Sequence, residues 1–227
     1  MQPYLLPYIG YFQLISAVDA FVLYDNIQYT KRGWINRNRF LRNGGAQTFT
    51  LPLAAASDFV MISDRRVADT FNSTKLLNQF HGAYGQAPFY DVTRSLLGRI
   101  FALERRDLFG FLRDSLAMTL EHLSIPHQLI TSSTITADHE LKGEDRVIEI
   151  CRAMDATHYL NPIGGIELYS KNSFGSAGIE LSFLRTKELN YQQFGERFVP
   201  NLSIIDVLMF NSITDTKRLI ETHWQLI

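Results

Sequence analysis

The residues best suited to chemistry form a basic run between positions 31 and 42. Its cations, with no acid between them, are Lys31, Arg32, Arg37, Arg39 and Arg42. Trp34, Asn36 and Asn38 alternate with these charges, so a stacking surface, bidentate donors and neutral hydrogen-bonding groups occur together. We expect a near-neutral chain that collects cations in this way to bind an anion there. A solvated basic hairpin is the alternative interpretation.

The start of the chain is a second candidate segment. Two Pro-Tyr pairs frame an N-terminal loop (residues 2–8) that leads through Gly10 into an apolar periodic stretch. A tyrosine hydroxyl can donate a hydrogen bond to a phosphate or to a developing oxyanion. We assign ligand contacts to Gln2, Tyr4 and Gly10, and hydrogen-bond donation at the reacting centre to Tyr8 and Tyr11. Residues 1–3 are expected to be the end of a short first strand.

A carboxylate stands where ligands of α/β proteins usually bind. Apolar residues from Tyr11 to Val18 recur with the spacing of one helix face, and residues 21–24 are typical of a short buried strand. Asp25 follows at the carboxyl end of that strand, the edge at which open α/β sheets bind ligands. Asp25 is therefore the best candidate for a general base.

Two later segments supply the remaining candidate groups. A short strand at residues 157–160 leads into Asn161 and Gly164, which again places polar backbone at a carboxyl end. Asp206 lies in an apolar run and is the alternative base. Ser203 stands three residues before it, however, and this spacing favours a capping box at a helix start.

The order of the predicted elements indicates an α/β protein. Residues 34–41 and 47–53 form a predicted hairpin around Asn43-Gly44, a favoured two-residue turn. Helical patterns then dominate until about residue 125, and strands alternate with helices afterwards. This order predicts one domain over residues 1–227, with a mainly parallel, Rossmann-like sheet and an inserted helical segment around 69–125.

Composition excludes several classes of function. The chain has 227 residues and a net charge of −1, so no global attraction to nucleic acid or to membranes is expected. The single cysteine, Cys151, excludes an intramolecular disulfide and fits a reducing compartment. The six histidines are scattered without metal-ligand spacing. We expect a cytoplasmic protein without a membrane segment, metal or cofactor.

The run Pro7-Tyr8-Ile9-Gly10-Tyr11, with the helix and strand after it, resembles the first strand-loop-helix unit of the HIGH-signature nucleotidyltransferases. In that superfamily a His-x-Gly-His run binds nucleotide phosphates at a helix N-terminus. Tyrosines stand here at both histidine positions and supply no cation near neutral pH. The basic run can restore that charge. The resemblance implies a related Rossmann-like topology and leaves nucleotidyl transfer as an alternative function.

Four longer segments resemble the WbqC family of bacterial proteins. They are MQPYLLPYIGYFQLISAVD, YDNIQYTKRGWINRNRF, YLNPIGGIELY and FVPNLSIIDVLMFNS, and the resemblance extends over nearly the whole chain. It implies a setting among genes for surface polysaccharides such as O-antigen. It also implies transfer of an aminoacyl group, glycine in particular, to an amino sugar. The implied partners are a nucleotide-linked amino sugar and an aminoacyl donor such as an aminoacyl-tRNA.

The residues supply a mechanism for that transfer. Lys31, Arg32, Arg37 and Arg39 can neutralise a pyrophosphate, and a base or sugar ring can stack on Trp34 or Tyr4. Because no serine or cysteine nucleophile with a nearby base is evident, direct attack by the amine is expected. We expect the N-terminal loop, the basic run and residues 161–164 to meet at one cleft. A noncatalytic sugar-nucleotide-binding protein is a further alternative.

Overall fold

Helices and short strands alternate along the chain in the computed structural model, which describes residues 1–57 and 59–227. The helices are α1 (Ile9–Ser16), α2 (Ser73–Tyr84), α3 (Tyr90–Phe101), α4 (Leu108–His122), α5 (Gly143–Ala153), α6 (Lys171–Ser176), α7 (Ile204–Phe210) and α8 (Ile213–Thr222). The strands are β1 (Phe21–Leu23), β2 (Arg37–Arg42), β3 (Gly45–Thr50), β4 (Leu129–Thr131), β5 (His158–Pro162), β6 (Glu180–Thr186) and β7 (Trp224–Leu226). The predicted α/β class is confirmed.

The described strands form three small sheets in place of the single sheet expected from the sequence. β1 pairs with β4 in parallel, β2 with β3 antiparallel, and β5-β6-β7 form a mixed sheet whose β5-β6 pair is parallel. The expected first strand at residues 1–3 is reduced to a backbone contact beside β1. There the Met1 amine donates to the Val22 carbonyl at 2.7 Å, and the Tyr24 N–H donates to the Met1 carbonyl at 2.9 Å.

The predicted hairpin is present and carries part of the basic run. Asn43 and Gly44 join β2 to β3 with φ angles of 51° and 73°. Both values are positive, as a type I′ turn requires, and Asn-Gly is a favoured pair for it. β2 begins at Arg37, three residues later than the sequence pattern predicts, so Trp34 lies in the loop before the strand.

The three helices between β3 and β4 form much of the principal core. Asn72 caps α2 and Asp107 caps α4, each accepting a backbone N–H three residues later. Phe80 of α2 packs edge-to-face on two hairpin rings, with centroids 5.3 Å from Phe40 and 5.1 Å from Phe49. These contacts fix the hairpin against the helices.

A smaller hydrophobic cluster joins α5 and α6 to the β5-β6 pair. Its buried members are Val147, Ile148, Cys151, Phe174, Ile179, Leu181 and Phe183. Burial raises the pKa of the Cys151 thiol to about 11, so this cysteine is a core residue in its protonated form. Within the described parts of the chain, no helix has the length and apolar character needed to cross a membrane.

Replacement of glycine by alanine should have opposite effects on stability at Gly44 in the hairpin turn and at Gly82 in α2. Gly44→Ala should lower the free energy of unfolding by about 1 kcal/mol, because an alanine at φ 73° is strained. Gly82→Ala, on the exposed side of α2 where an added Cβ meets nothing, should raise it by up to about 1 kcal/mol. Urea unfolding of both variants measures the difference. Equal shifts would contradict the assigned turn.

Candidate functional site

A pocket of about 180 Å³ opens between the N-terminal loop, the basic run and Asn201. The residues that line this Trp34 pocket are Tyr4, Pro7, Tyr8, Trp34, Asn38, Arg39 and Asn201. Pockets for whole small molecules usually measure about 300–1,000 Å³. The Trp34 pocket therefore has room for one ring or one anionic group, and a larger ligand must extend beyond it.

The N-terminal loop is held by polar side chains from both sides. Leu6 is buried with a φ of 41°, a strained value for a residue with a side chain. Asn38 Nδ2 donates to the carbonyls of Leu5 and Leu6 at 3.1 and 2.9 Å, and Ser203 Oγ donates to the Leu6 carbonyl at 2.6 Å. These bonds stabilise the strained turn. Asn38 thus serves chiefly as a structural amide at the floor of the pocket.

Arg39 is the basic residue that lines the pocket. Its Nη2 donates to the Asn201 carbonyl at 3.0 Å, and its guanidinium carbon lies 5.3 Å from the centroid of the Trp34 ring. Its Nε is buried and has no hydrogen-bond partner among the described residues. The half-buried guanidinium therefore keeps an unused donor and an unpaired charge beside the pocket.

The other cations of the basic run occupy different positions. Arg37 lies 5.8 Å from the Trp34 centroid, and it donates to the carbonyls of Gly33 and Arg32 at 3.0 and 2.6 Å. It thereby fixes the loop that presents the indole. Lys31 and Arg32 are exposed. Arg42 lies at the far end of β2, where it contacts Gln47 at 3.3 Å.

The tyrosines of the N-terminal loop divide into pocket and core residues. Tyr8 and Tyr4 line the pocket, and burial raises the pKa of both phenols, so they remain protonated donors at neutral pH. Tyr11 is buried and donates to the Gln2 carbonyl at 2.7 Å. Gly10 allows the Tyr8 ring to lie over the start of α1, since an added Cβ would collide with that ring.

Other predicted site residues have structural contacts. Asn36 is buried, accepts from Tyr29 Oη at 2.8 Å and donates to the Leu51 carbonyl at 2.8 Å. Asn161 accepts from Tyr159 Oη at 3.2 Å, and an added Cβ at Gly164 would meet nothing. Residues 161–164 are not among those that line the Trp34 pocket. The pocket thus joins two of the three segments expected to converge.

Asp25 connects the ends of two strands. Its Oδ1 accepts from the Ser133 N–H at 3.0 Å, and its Oδ2 accepts from Ser133 Oγ at 2.6 Å. This pair ties the end of β1 to the 3-10 turn Ser132–Thr134, which follows β4. Asp25 is buried and does not line the Trp34 pocket.

The predicted capping box at Ser203 and Asp206 is wrong in its second half. Ser203 Oγ does accept from the Ile205 N–H at 3.3 Å, so the serine caps α7. The Ser203 N–H, which Asp206 should have bound, donates instead to the Arg39 carbonyl at 2.8 Å. Asp206 is fully buried, and its carboxylate points into the core because three donors are available there.

The three donors to Asp206 come from two separate parts of the chain. They are Tyr84 Oη at 2.8 Å, Tyr191 Oη at 2.6 Å and Gln193 Nε2 at 2.6 Å. Tyr84 Oη also accepts from the Leu41 N–H at 2.7 Å, and Gln193 bonds both the N–H and the carbonyl of Val199. The carboxylate is therefore connected to β2, which carries Arg39, and to the segment that leads to Asn201.

Sequence reasoning missed Tyr84, Tyr191 and Gln193 as partners of this acid. The available signal was an acid inside an apolar run, since a buried carboxylate needs several hydrogen-bond donors.

Comparison with known proteins places these segments in a family. The model of the WbqC-like protein family matches residues 2–218, a range that includes every residue of the Trp34 pocket. The chain belongs to the WbqC-like family. This WbqC-like chain is 28% identical over 211 residues to the protein Rv1507c of Mycobacterium tuberculosis, which is described as uncharacterized; the alignment covers 91% of this chain and 89% of the relative. No solved structure matches this WbqC-like chain.

The Asp206 network predicts a marked loss of stability in Asp206→Asn. The amide keeps one oxygen acceptor and places N–H groups opposite tyrosine and glutamine donors, which should cost about 1–3 kcal/mol at neutral pH. Asp69→Asn, at an exposed site, is the matched control and should change stability by less than about 0.5 kcal/mol. Urea unfolding measures both.

The same variant tests the titration of Asp206. Burial raises its pKa above the ordinary 3.8, although Tyr191, Gln193 and Tyr84 oppose the shift. The folded state therefore binds the proton more tightly, and the carboxyl contributes stability at acid pH that is lost as the pH rises through the folded pKa. The stability difference between wild type and Asp206→Asn should fall as the pH rises from about 4 to 7. A difference that grows over this interval would contradict a raised pKa.

Proposed function

We propose that this WbqC-like protein binds a nucleotide-linked amino sugar at the Trp34 pocket and transfers an aminoacyl group, glycyl in particular, to its amine. The transfer belongs to the synthesis of bacterial surface polysaccharide. One observation carries the proposal. Arg37 and Arg39 hold their guanidinium carbons 5.8 and 5.3 Å from the centroid of the Trp34 ring, and neither forms an ion pair with a described carboxylate.

The contacts of the pocket support binding of a ring next to a phosphate. The Trp34 side chain is 40% exposed and can stack on a sugar or base, while Arg39 Nε can donate to a phosphate oxygen. The α1 helix begins at Ile9, and its N-cap Tyr8 provides no side-chain cap, so backbone N–H groups there also favour an anion. Lys31 and Arg32 can meet the part of the ligand outside the pocket.

The proposed reaction is direct attack by the sugar amine on the acyl carbon. A C–N bond forms, the bond between the acyl group and its carrier breaks, and the amine proton passes to a base. Asp25 remains the proposed base, since each of its oxygens can accept a further hydrogen bond, whereas Asp206 is enclosed by three donors. Because Asp25 does not line the Trp34 pocket, the amine must belong to the part of the ligand that extends beyond the pocket. Tyr8 is the proposed oxyanion donor. Tyr11 donates to Gln2 and so acts by positioning the loop.

We also propose a Rossmann-like arrangement, a single domain and a cytoplasmic location for this protein. Two parallel strand pairs, with Met1 beside β1, support a Rossmann-like arrangement within one domain over residues 1–227. The lone buried thiol of Cys151 fits the reducing cytoplasm, and its raised pKa supports a route without an acyl-enzyme on cysteine.

Two other functions share the pocket. Nucleotidyl transfer is favoured by the short Tyr8-Ile9-Gly10 entry into α1, and it requires magnesium and a nucleoside triphosphate. A noncatalytic sugar-nucleotide-binding protein needs the pocket but no base. The three functions can be separated by their products: an acylated sugar, released pyrophosphate, or no product.

Binding at the Trp34 pocket should depend on Arg39. Arg39→Ala should weaken the binding of a nucleotide-linked amino sugar by about 1.5–3 kcal/mol, the range for hydrogen bonds to charged groups. Arg39→Lys should be intermediate, because lysine restores the charge but not the planar fork. Calorimetric titration measures the dissociation constants. Arg42→Gln, at the exposed end of the same strand, is the control, and equal affinity in all variants would remove the pocket from the proposal.

Turnover should yield an amide on the sugar. Incubation of the protein with a nucleotide-linked amino sugar and a glycyl-tRNA donor should increase the mass of the sugar by one glycyl unit. The rate of this increase should fall by about 100-fold or more in Asp25→Asn, because a general base typically contributes about 10²- to 10⁴-fold. Magnesium-dependent release of pyrophosphate from a nucleoside triphosphate would favour nucleotidyl transfer. Binding without any product would favour the noncatalytic function.

A further inference from the structure

A second polar cluster lies at the carboxyl ends of β1 and β4, two adjacent parallel strands. Asp25 and Asn26 follow β1, and Ser132 and Ser133 follow β4. The two hydrogen bonds from Ser133 to Asp25 join these ends. In α/β proteins this edge of parallel strands is where ligands bind. We call these residues, together with Arg146, the strand-end cluster.

Arg146 reaches the strand-end cluster from α5. Its Nη2 donates to Asn26 Oδ1 at 2.6 Å, and its guanidinium carbon lies 5.0 Å from the centroid of the Tyr24 ring. Nη2 also lies 3.5 Å from His139 Nδ1. Because arginine can only donate, Nδ1 accepts, and His139 Nε2–H donates to the Ile135 carbonyl at 3.0 Å.

The cluster has two buried polar groups with unused hydrogen-bonding capacity. Arg146 Nε and Ser132 Oγ are enclosed, and neither has a partner among the described residues. Ser132 is fully buried. A buried donor without a partner is costly, and a guanidinium adds an uncompensated charge. Among the described residues Asp25 forms no ion pair with Arg146, and the hydrogen bonds to its carboxylate come from Ser133.

We propose that Arg146 and Ser132 hold a small anion, a carboxylate or a phosphate group, so that the strand-end cluster is a second ligand site. None of these residues lines the Trp34 pocket. The cluster contains Asp25, the proposed base, but anion binding by Arg146 and Ser132 goes beyond the proposed reaction and does not depend on it. Water can satisfy the two donors but leaves the charge of Arg146 unpaired, whereas an anion meets both requirements. The Tyr24 ring orients the guanidinium without neutralising it.

The site is tested by titrating the full ¹⁵N-labelled chain with sodium phosphate and, separately, with sodium acetate at constant ionic strength. The backbone amides of Asn26, Ser132 and Ser133 should shift and saturate with at least one of the two anions. Sodium chloride at the same ionic strength should not produce this saturation. The comparison of phosphate with acetate identifies the class of anion.

Variants assign the binding to the proposed groups. Arg146→Met should raise the dissociation constant of the anion, measured at these amides, by about 10- to 100-fold. Ser132→Ala should raise it by about 2- to 10-fold. Arg152→Gln, at an exposed position of the same helix, is the control and should bind as the wild type does. Arg39→Ala should also leave these amides unaffected, which separates this site from the Trp34 pocket. Shifts that never saturate, or an unchanged affinity in Arg146→Met, would overturn the proposal.

Discussion

A buried carboxylate with three neutral donors and no cation determines the geometry around the Trp34 pocket. Asp206 receives its hydrogen bonds from Tyr84 on α2 and from Tyr191 and Gln193 in the segment before α7. A charge enclosed in the core is tolerated only when its hydrogen bonds are complete, so each donor must keep its place. The same donors contact the backbone of β2 and of the segment before Asn201. The hydrogen bonds of Asp206 therefore fix two walls of the pocket, β2 and the segment before Asn201.

The third wall, the N-terminal loop, depends on side chains that look like ligand-binding groups in the sequence. Asn38 supplies both amide hydrogens to the carbonyls of Leu5 and Leu6, and Ser203 adds a hydroxyl. A turn with a buried, strained leucine cannot bond to water, so these polar groups must come from the protein. Asn38 is engaged in this support and Arg37 in bonds to the Gly33 and Arg32 carbonyls, so Arg39 and the rings of Tyr4, Tyr8 and Trp34 are left to contact a ligand.

Local signals predicted local structure, and long-range contacts decided the rest. The Asn43-Gly44 turn and the Asp107 cap involve neighbouring residues, so their chemistry is visible in the sequence. The partner of Asp25 is 108 residues away and Tyr84 is 122 residues from Asp206, so no spacing rule identifies either pair. The capping-box prediction failed for this reason, because a strong local pattern competed with donors brought in by the tertiary fold. The basic run was visible, but which of its cations faces the pocket depends on the β2 register.

Arg39 and Arg146 have similar surroundings, and both are proposed to bind an anion. Each stacks on an aromatic ring, donates to a carbonyl or amide oxygen, and retains a buried Nε without a partner among the described residues. Arg65 has a similar environment over Tyr29 but is only 5% exposed. Arg39 and Arg146 are partly exposed and can each meet an anion from solution. The proposed group transfer needs positions for a donor and an acceptor, and the two proposed anion sites would provide one for each.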